Sequence, residues 1–248
     1  MSRESGQQAG VMVDRVDEVK PAWVHRRVLW HRRLHDPVRQ PLNESPWLPR
    51  LRAWQAERLR ASFADLLATP RSHAAAAFFL SDLYADRDFS GRDEGVARVV
   101  PLMARLLPDS LLRALGEAVE LGALSHALDL RMVRALALDP PARIDPISYA
   151  RAYRHAGCPR LRRRQIDLIV AVGQTLDRAV HKPGVGSLLR AGRMPARLAG
   201  LGELQAFLER GFTAFRALDG ADDFLDTIAR REREVSRRLF DGHPRPFD

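Results

Sequence analysis

The charged stretch that follows the alanine- and phenylalanine-rich run has the residue types of a calcium-binding loop. An EF-hand loop places oxygen ligands at positions 1, 3 and 5 and glycine at position 6, and Asp86, Asp88, Ser90 and Gly91 match that spacing. Position 12 of such a loop is a bidentate glutamate, but here it is Ala97. Because the match is incomplete, the spacing does not predict a metal site.

Two other interpretations of the same stretch remain open. In the simpler one, Ser90 caps the following helix and the neighbouring arginines brace a helical corner. In the other, the end of the apolar helix and the charged corner form the rim of a ligand pocket. The candidate ligand-binding residues of that pocket are Asp82, Tyr84, Arg87 and Asp88.

His126 is the histidine that helical spacing places on an apolar face, in line with Gly122 and Leu130. A buried histidine can serve as an axial haem ligand or as half of an iron site, so His126 joins the candidate ligand-binding residues. A lone histidine on such a face is more often a hydrogen-bonded core residue. The sequence contains neither the Glu-x-x-His pairs of di-iron bundles nor a His-Glu-x-x-His motif. We therefore expect no cofactor, with haem or iron as the alternative.

Two basic segments are candidate anion sites. Arg160, Arg162, Arg163 and Arg164 crowd the first turn of a predicted helix, where the helix dipole disfavours cations unless an acidic partner or an anion compensates them. The glycine- and proline-containing segment 182–195 is expected to combine exposed backbone amides with cations, as phosphate cradles do. The candidate anion-binding residues are Lys182, Arg190 and Arg193 in this segment and Arg197 just after it. The segment lacks the spacing of a phosphate-binding P-loop, so an ordinary helix connection is the simpler interpretation.

The composition predicts a soluble protein rich in arginine. The 248 residues carry a net charge of +9, and of the 40 basic residues all but Lys20 and Lys182 are arginine. The arginines often alternate with aspartate or glutamate, as they do on solvated helix faces. The single cysteine, Cys158, fits a reducing compartment, and no apolar run approaches the roughly 20 residues that cross a bilayer. We expect a cytoplasmic protein without a membrane span.

The elements that position these residues are helices. Apolar residues recur at helical spacing along most of the chain and no window alternates as a strand does, which predicts an all-α, single-domain bundle of about nine helices. We expect a flexible N-terminal tail at 1–20, an N-terminal helix and an extended proline-rich strap at 21–49, the helical bundle at 50–240 and a C-terminal tail at 241–248.

The N-terminal helix is expected to run from Pro21 to about His35 and to dock through Trp23, Trp30 and Leu34. The arginines around them predict that His31, His35 and the third histidine of this helix, His25, are exposed. Further predicted helices run from Asp109 or Ser110 to about Leu138 and from Pro159 to about His181.

Three sequence blocks resemble an uncharacterised family of bacterial helical proteins. They are Phe78-Phe-Leu-Ser-Asp-Leu-Tyr84 with Arg87-Asp-Phe89, Tyr149-Ala-Arg-Ala-Tyr153, and Pro195-Ala-Arg-Leu-Ala-Gly-Leu-Gly-Glu-Leu-Gln205. The resemblance covers about Leu51 to Phe240. The resemblance implies a helical fold. It does not indicate an activity, a cofactor or a ligand.

The functional hypothesis favoured by these residues is a non-catalytic binding or regulatory protein that acts through protein contacts or an acidic ligand. No catalytic residues are predicted. The alternative is a helical haem- or metal-dependent redox protein that uses His126. Nucleic-acid binding through arginine-rich helix faces ranks third.

Overall fold

The computed structural model describes residues 21–83, 109–198 and 202–248. Within these ranges the chain forms ten α-helices, nine of them of seven residues or more, and no strand, which confirms the predicted all-α fold. The helices are α1 Pro21–His35, α2 Trp47–Ser62, α3 Ala64–Ala68, α4 Pro70–Phe78, α5 Asp109–Leu138, α6 Pro146–Ala156, α7 Pro159–Val180, α8 Val185–Leu198, α9 Gly202–Arg216 and α10 Asp222–Phe240. None of the described helices is both long enough and apolar enough to cross a membrane.

Helices α6 and α7 begin where caps and prolines predict that they begin. The Asp145 side chain accepts a hydrogen bond from the Ser148 amide, the Ser148 side chain in turn accepts from the Asp145 amide, and Pro146 occupies the first turn of α6. Gly157 ends α6 with a φ of 65°, a conformation that costs glycine little. Cys158 also has a positive φ, and Pro159 then opens α7. The two helices are thus separated by a sharp, well-defined corner.

Two proline-containing segments differ from their predictions. The expected strap contains a 3-10 helix at Pro41–Glu44, and α2 already begins at Trp47. The expected connection at 182–195 is mostly helix α8, which buries Val185 and Leu189. Apolar burial of these two side chains outweighs the presence of Gly186, Gly192 and Pro195 in the sequence, because tertiary packing overrides weak local propensity.

The described core consists of two apolar clusters. The larger lies among α2, α3, α4, α5, α7, α8, α9 and α10 and includes Phe63, Ile169 and Phe215. The smaller lies mainly among α2, α5, α6 and the end of α10 and includes Met132 and Tyr149. Helices α2, α5 and α10 pass from one cluster to the other, and each carries charged side chains at the crossing. A polar layer therefore separates the two clusters.

Helix α1 packs on α5 through only part of the expected set of side chains. Val24 and His31 are the buried residues of this helix, with His31 only 3% exposed, whereas Trp30 is 38% exposed. Trp23 lies against Gly116 of α5, where the absence of a side chain leaves space for the indole ring. The prediction that His31 is exposed is wrong, because its ring points to α5. His35, also predicted to be exposed, is half-buried.

Close packing at Gly116 predicts that the α1–α5 contact is sensitive to a side chain at this position. A methyl group at Gly116 would overlap the Trp23 ring, so we expect Gly116→Ala to lower the free energy of unfolding by about 1–3 kcal/mol. Gly122 lies on the same helix and would place its methyl group 3.6 Å from the His31 ring, an ordinary contact. Gly122→Ala should therefore be neutral or stabilising by up to about 1 kcal/mol. Urea unfolding followed by tryptophan fluorescence measures both, and equal effects of the two substitutions would contradict this packing.

Candidate functional site

The polar layer is the part of the described interior in which charged side chains are buried. Four helices contribute charged or polar side chains to it, although the interior on either side is apolar. The layer consists of Gln55 and Arg58 of α2, Ser125 and Asp129 of α5, Arg162 and Gln165 of α7, and Glu232 and Ser236 of α10. Together with aromatic and aliphatic neighbours, these residues line a cavity of about 30 Å³.

Arg58 and Glu232 form a buried ion pair in this layer. The Arg58 Nη1 donates to Glu232 Oε1, and Nη2 donates to Oε2 at 3.1 Å. Both side chains are at least nine-tenths buried. A two-point pair of this kind is among the stronger hydrogen-bonded interactions in proteins, and it compensates each charge for the loss of water.

Arg162 is also buried but is not compensated in this way. Its side chain is 6% exposed, and its guanidinium carbon lies 4.5 Å from the centre of the Tyr153 ring. Its Nη1 donates to Gln165 Oε1 at 3.3 Å. The Nε and Nη2 nitrogens are buried and have no hydrogen-bond partner among the described residues. A buried cation therefore presents two donor nitrogens that have no acceptor in the described part of the chain.

The other polar groups of the cavity are held by one another. Tyr153 Oη and Ser236 Oγ share a hydrogen bond of 2.9 Å, and Gln165 Nε2 donates to Ser125 Oγ at 2.7 Å. Burial raises the pKa of the Tyr153 phenol above its ordinary value, so the group stays neutral at neutral pH. Tyr153 consequently supplies the cavity with a hydroxyl group and no negative charge.

The cavity lining carries two arginines and two carboxylates, so its charges balance in sum, but they are not paired one to one. Asp129 forms an ion pair with Arg52 at 3.5 Å and accepts a hydrogen bond from Gln55 at 3.2 Å. Glu232 is the partner of Arg58. The two carboxylates of the layer are thus each engaged by another arginine, and Arg162 is a further cation. Arg162 therefore has no carboxylate partner of its own among the described residues.

His126 is buried, as predicted, and its ring nitrogens are hydrogen-bonded. Nδ1 lies 2.7 Å from Arg52 Nη2, and Nε2 lies 3.2 Å from the carbonyl oxygen of Leu34. Since the guanidinium can only donate, Nδ1 is the acceptor and Nε2 carries the proton that bonds Leu34. The ring also stacks on His35 with centroids 3.9 Å apart. This geometry is that of a core histidine that ties α1 to α5, and iron coordination would have to break one of its hydrogen bonds.

The described residues contain no group of three or more histidine, cysteine or acidic side chains arranged to hold a metal ion. Of the predicted pocket rim, Asp82 falls in a π-helical turn, Phe79–Leu83, that continues α4. Tyr84, Arg87 and Asp88 lie outside the described residues. The hypothesis of a rim at this corner therefore stays a prediction.

The predicted anion-binding residues lie in α8 and the turn before it. Arg193 donates to both carboxylate oxygens of Glu209, each at 2.7 Å, and these hydrogen bonds hold the pKa of Glu209 below its ordinary value. Arg190 donates to Ser187, while Arg197 and Lys182 are exposed. A cradle of free backbone amides is not formed here, because most of the segment is helical.

The arginines at the start of α7 separate into different environments. Arg164 donates to Glu120 at 2.8 Å, which supplies the acidic partner that a cation in the first turn of a helix requires. Arg160 and Arg163 are exposed, whereas Arg162 turns inward. The sequence carries a signal for this difference. Arg162 precedes Ile166 by four residues and Ile169 by seven, which places it on the inner face of α7.

A family model described as Domain of unknown function (DUF8198) matches residues 34–246. This range contains every helix that contributes to the polar layer. No curated protein and no solved structure is significantly similar to the chain.

The buried ion pair predicts a strong contrast between two adjacent residues of α10. Glu232→Gln leaves the Arg58 charge buried without its partner, and we expect a loss of about 3 kcal/mol in the free energy of unfolding. Arg233 pairs with Asp167 at 2.9 Å on the exposed surface, so Arg233→Gln should cost less than about 1 kcal/mol. Chemical denaturation of both variants checks this. A similar loss of unfolding free energy in the two variants would show that the buried Arg58–Glu232 pair contributes no more to stability than an exposed ion pair does.

Proposed function

The chain belongs to the family described as Domain of unknown function (DUF8198), and we propose that it is a binding protein for a small anion held by Arg162. The observation that carries this proposal is the burial of Arg162 with two guanidinium nitrogens that have no hydrogen-bond partner among the described residues. The site, which we name the Arg162 pocket, is the 30 Å³ cavity with its lining.

An anion accounts for Arg162 better than water alone does. Water could accept these hydrogen bonds, but it would leave the guanidinium without a directly bonded counter-charge in a medium of low dielectric constant. Burying an unpaired ion is costly enough that proteins pair such groups or neutralise them, and an arginine side chain keeps its proton. A bound anion supplies both the acceptor atoms and the opposite charge.

The size of the pocket limits the ligand. A cavity of about 30 Å³ has room for about two water-sized groups. Chloride, formate and nitrate fit this space, as does the carboxylate end of a short acid, whereas a phosphate ester does not. Arg162 and the neutral Tyr153 offer hydrogen-bond donors for such a group. These donors fit recognition of an acid, and we therefore favour binding over catalysis.

The wider setting of this function follows from the sequence. The single cysteine suits a reducing compartment, so we place the protein in the cytoplasm. A binding protein of this kind would act by changing its stability or its contacts when the anion is bound.

The proposal predicts an anion-dependent rise in thermal stability that requires Arg162. Wild-type protein is prepared in a buffer whose only anion is a bulky sulfonate, and sodium formate, chloride, nitrate or butyrate replaces it at constant ionic strength. An anion concentration of about 100 times the Kd would add about 2.7 kcal/mol to the free energy of unfolding. This corresponds to a rise of about 5–10 °C in Tm for a chain of this size. Butyrate tests whether the pocket also accepts the carboxylate of a longer acid.

The matched control for this titration lies two residues away. Arg162→Gln should abolish the saturable rise in Tm, whereas Arg160→Gln removes an exposed arginine from the same turn and should leave it intact. Loss of the response in both variants, or in neither, would contradict a site at Arg162.

A second variant separates binding from a structural role of the same residue. In the sulfonate buffer, Arg162→Met exchanges a buried charge that has no carboxylate partner for an apolar side chain, so its Tm should equal or exceed that of the wild type. A marked loss of stability in that buffer would mean that Arg162 braces the fold, and the proposed function would fail.

A further inference from the structure

A second cavity lies on the surface between α8 and α9, far larger than the Arg162 pocket. Its volume is about 400 Å³, and it lies within the range of sites for small organic molecules. One part of its lining is apolar, and the other part carries arginine side chains. The lining residues are Gly186, Leu189, Arg190 and Arg193 of α8, Glu209, Phe212, Thr213 and Arg216 of α9, and Ala217.

The apolar part of this groove is formed by close packing of the two helices. Leu189 is buried at 3% exposure, and Phe212 is partly exposed beside it. A methyl group at Gly186 would lie 3.2 Å from two atoms of the Phe212 ring, so glycine at this position leaves space for the ring to lie against α8. The apolar surface that a ligand can reach in the groove is therefore supplied mainly by the Phe212 ring.

The polar part of the groove carries uncompensated positive charge. Arg193 is neutralised by Glu209 through two hydrogen bonds of 2.7 Å, and Gln205 also donates to that carboxylate. Among the residues that the structure describes, Arg190 donates only to the hydroxyl of Ser187, at 3.1 Å. Arg190 and Arg216 are exposed and form no ion pair within the described part of the chain. The groove thus has one paired and two unpaired arginines.

We propose that this groove binds an organic monoanion with an apolar body, of the class of medium-chain carboxylic acids. The apolar body would lie on the exposed part of the Phe212 ring, and the carboxylate would accept hydrogen bonds from Arg190 or Arg216. Charge-assisted hydrogen bonds to guanidinium groups favour a carboxylate over a neutral alcohol of the same length. The volume of the groove suits a molecule of this size and is too large to be filled by the small anion of the Arg162 pocket.

The test uses sodium decanoate below its critical micelle concentration and isothermal titration calorimetry on the full chain. Decanoate is expected to bind with one site per chain. Decanol, which keeps the apolar body but lacks the charge, should bind at least about fivefold more weakly, and inorganic phosphate should show no saturable binding to the groove. Equal affinity for decanol would overturn the proposal, because the arginines would then have no role.

Variants of the groove locate the site. Arg190→Gln and Arg216→Gln should each weaken decanoate binding by about fivefold. Thr213→Trp places a large side chain on the exposed lining and should abolish binding. The matched control is Arg230→Gln, which removes one exposed positive charge from α10 and should leave the affinity unchanged. Unaltered binding in all three groove variants would overturn the assignment.

Two further measurements distinguish a small-molecule site in this groove from the Arg162 pocket and from a contact between two copies of the chain. Arg162→Gln should bind decanoate as the wild type does, so failure of the small-anion function would leave this inference standing, and the reverse also holds. Light scattering with and without Thr213→Trp tests whether a second copy of the chain fills the groove. An unchanged oligomeric state supports the small-molecule site, whereas dissociation of an oligomer would assign the groove to self-association and overturn it.

Discussion

The burial of charge between two apolar clusters is the constraint on which the packing of this bundle depends. Arg58 of α2 and Glu232 of α10 are 174 residues apart in sequence and nearly inaccessible to water. Neither could be buried alone without a large cost in solvation free energy. A shift of either helix by one turn would leave both charges in the interior without partners. The ion pair therefore restricts the relative position of the two helices in addition to the restriction that apolar packing imposes.

The same layer connects the N-terminal helix to the centre of the bundle. Arg52 donates to His126 and pairs with Asp129, and His126 in turn bonds the Leu34 carbonyl of α1. Stacking of His35 on His126 covers the outer side of this connection. Because Asp129 also lines the Arg162 pocket, a continuous set of hydrogen bonds and ring contacts runs from α1 to the cavity. In a medium of low dielectric constant such connected groups polarise and orient one another, so the shape of the pocket depends on residues well outside its lining.

Much of the fold can be predicted from the sequence, whereas the site can be predicted only in part. Prolines, caps and long apolar stripes mark α1, α5 and α7 because these signals act locally. Helix α8 lacks such signals, because its stability comes from burial against other helices rather than from its own propensity.

The site is hard to predict for a related reason. The apolar stripes run through Ile166 and Ile228, but the next core positions hold Arg162 and Glu232, whose residue types are those of a solvated surface. A charge at a core position signals a buried partner, yet only the tertiary structure decides which of many arginines and carboxylates is that partner.

The abundance of arginine in this chain serves several physical purposes, and these differ in their sensitivity to solvent. On the surface of α10, Arg237 and Arg238 hold the pKa of Glu234 at about 2 through direct hydrogen bonds. Salt screens exposed groups of this kind, since the Debye length at physiological ionic strength is about 8 Å. An exposed groove lined by Arg190 is subject to the same screening, so apolar contact has to supply much of its affinity. Arg162 is shielded from solvent ions, and its attraction for a counter-ion is correspondingly strong. A high net charge by itself therefore indicates little about function, because the burial of each arginine decides how strongly, and for what kind of ligand, its charge acts.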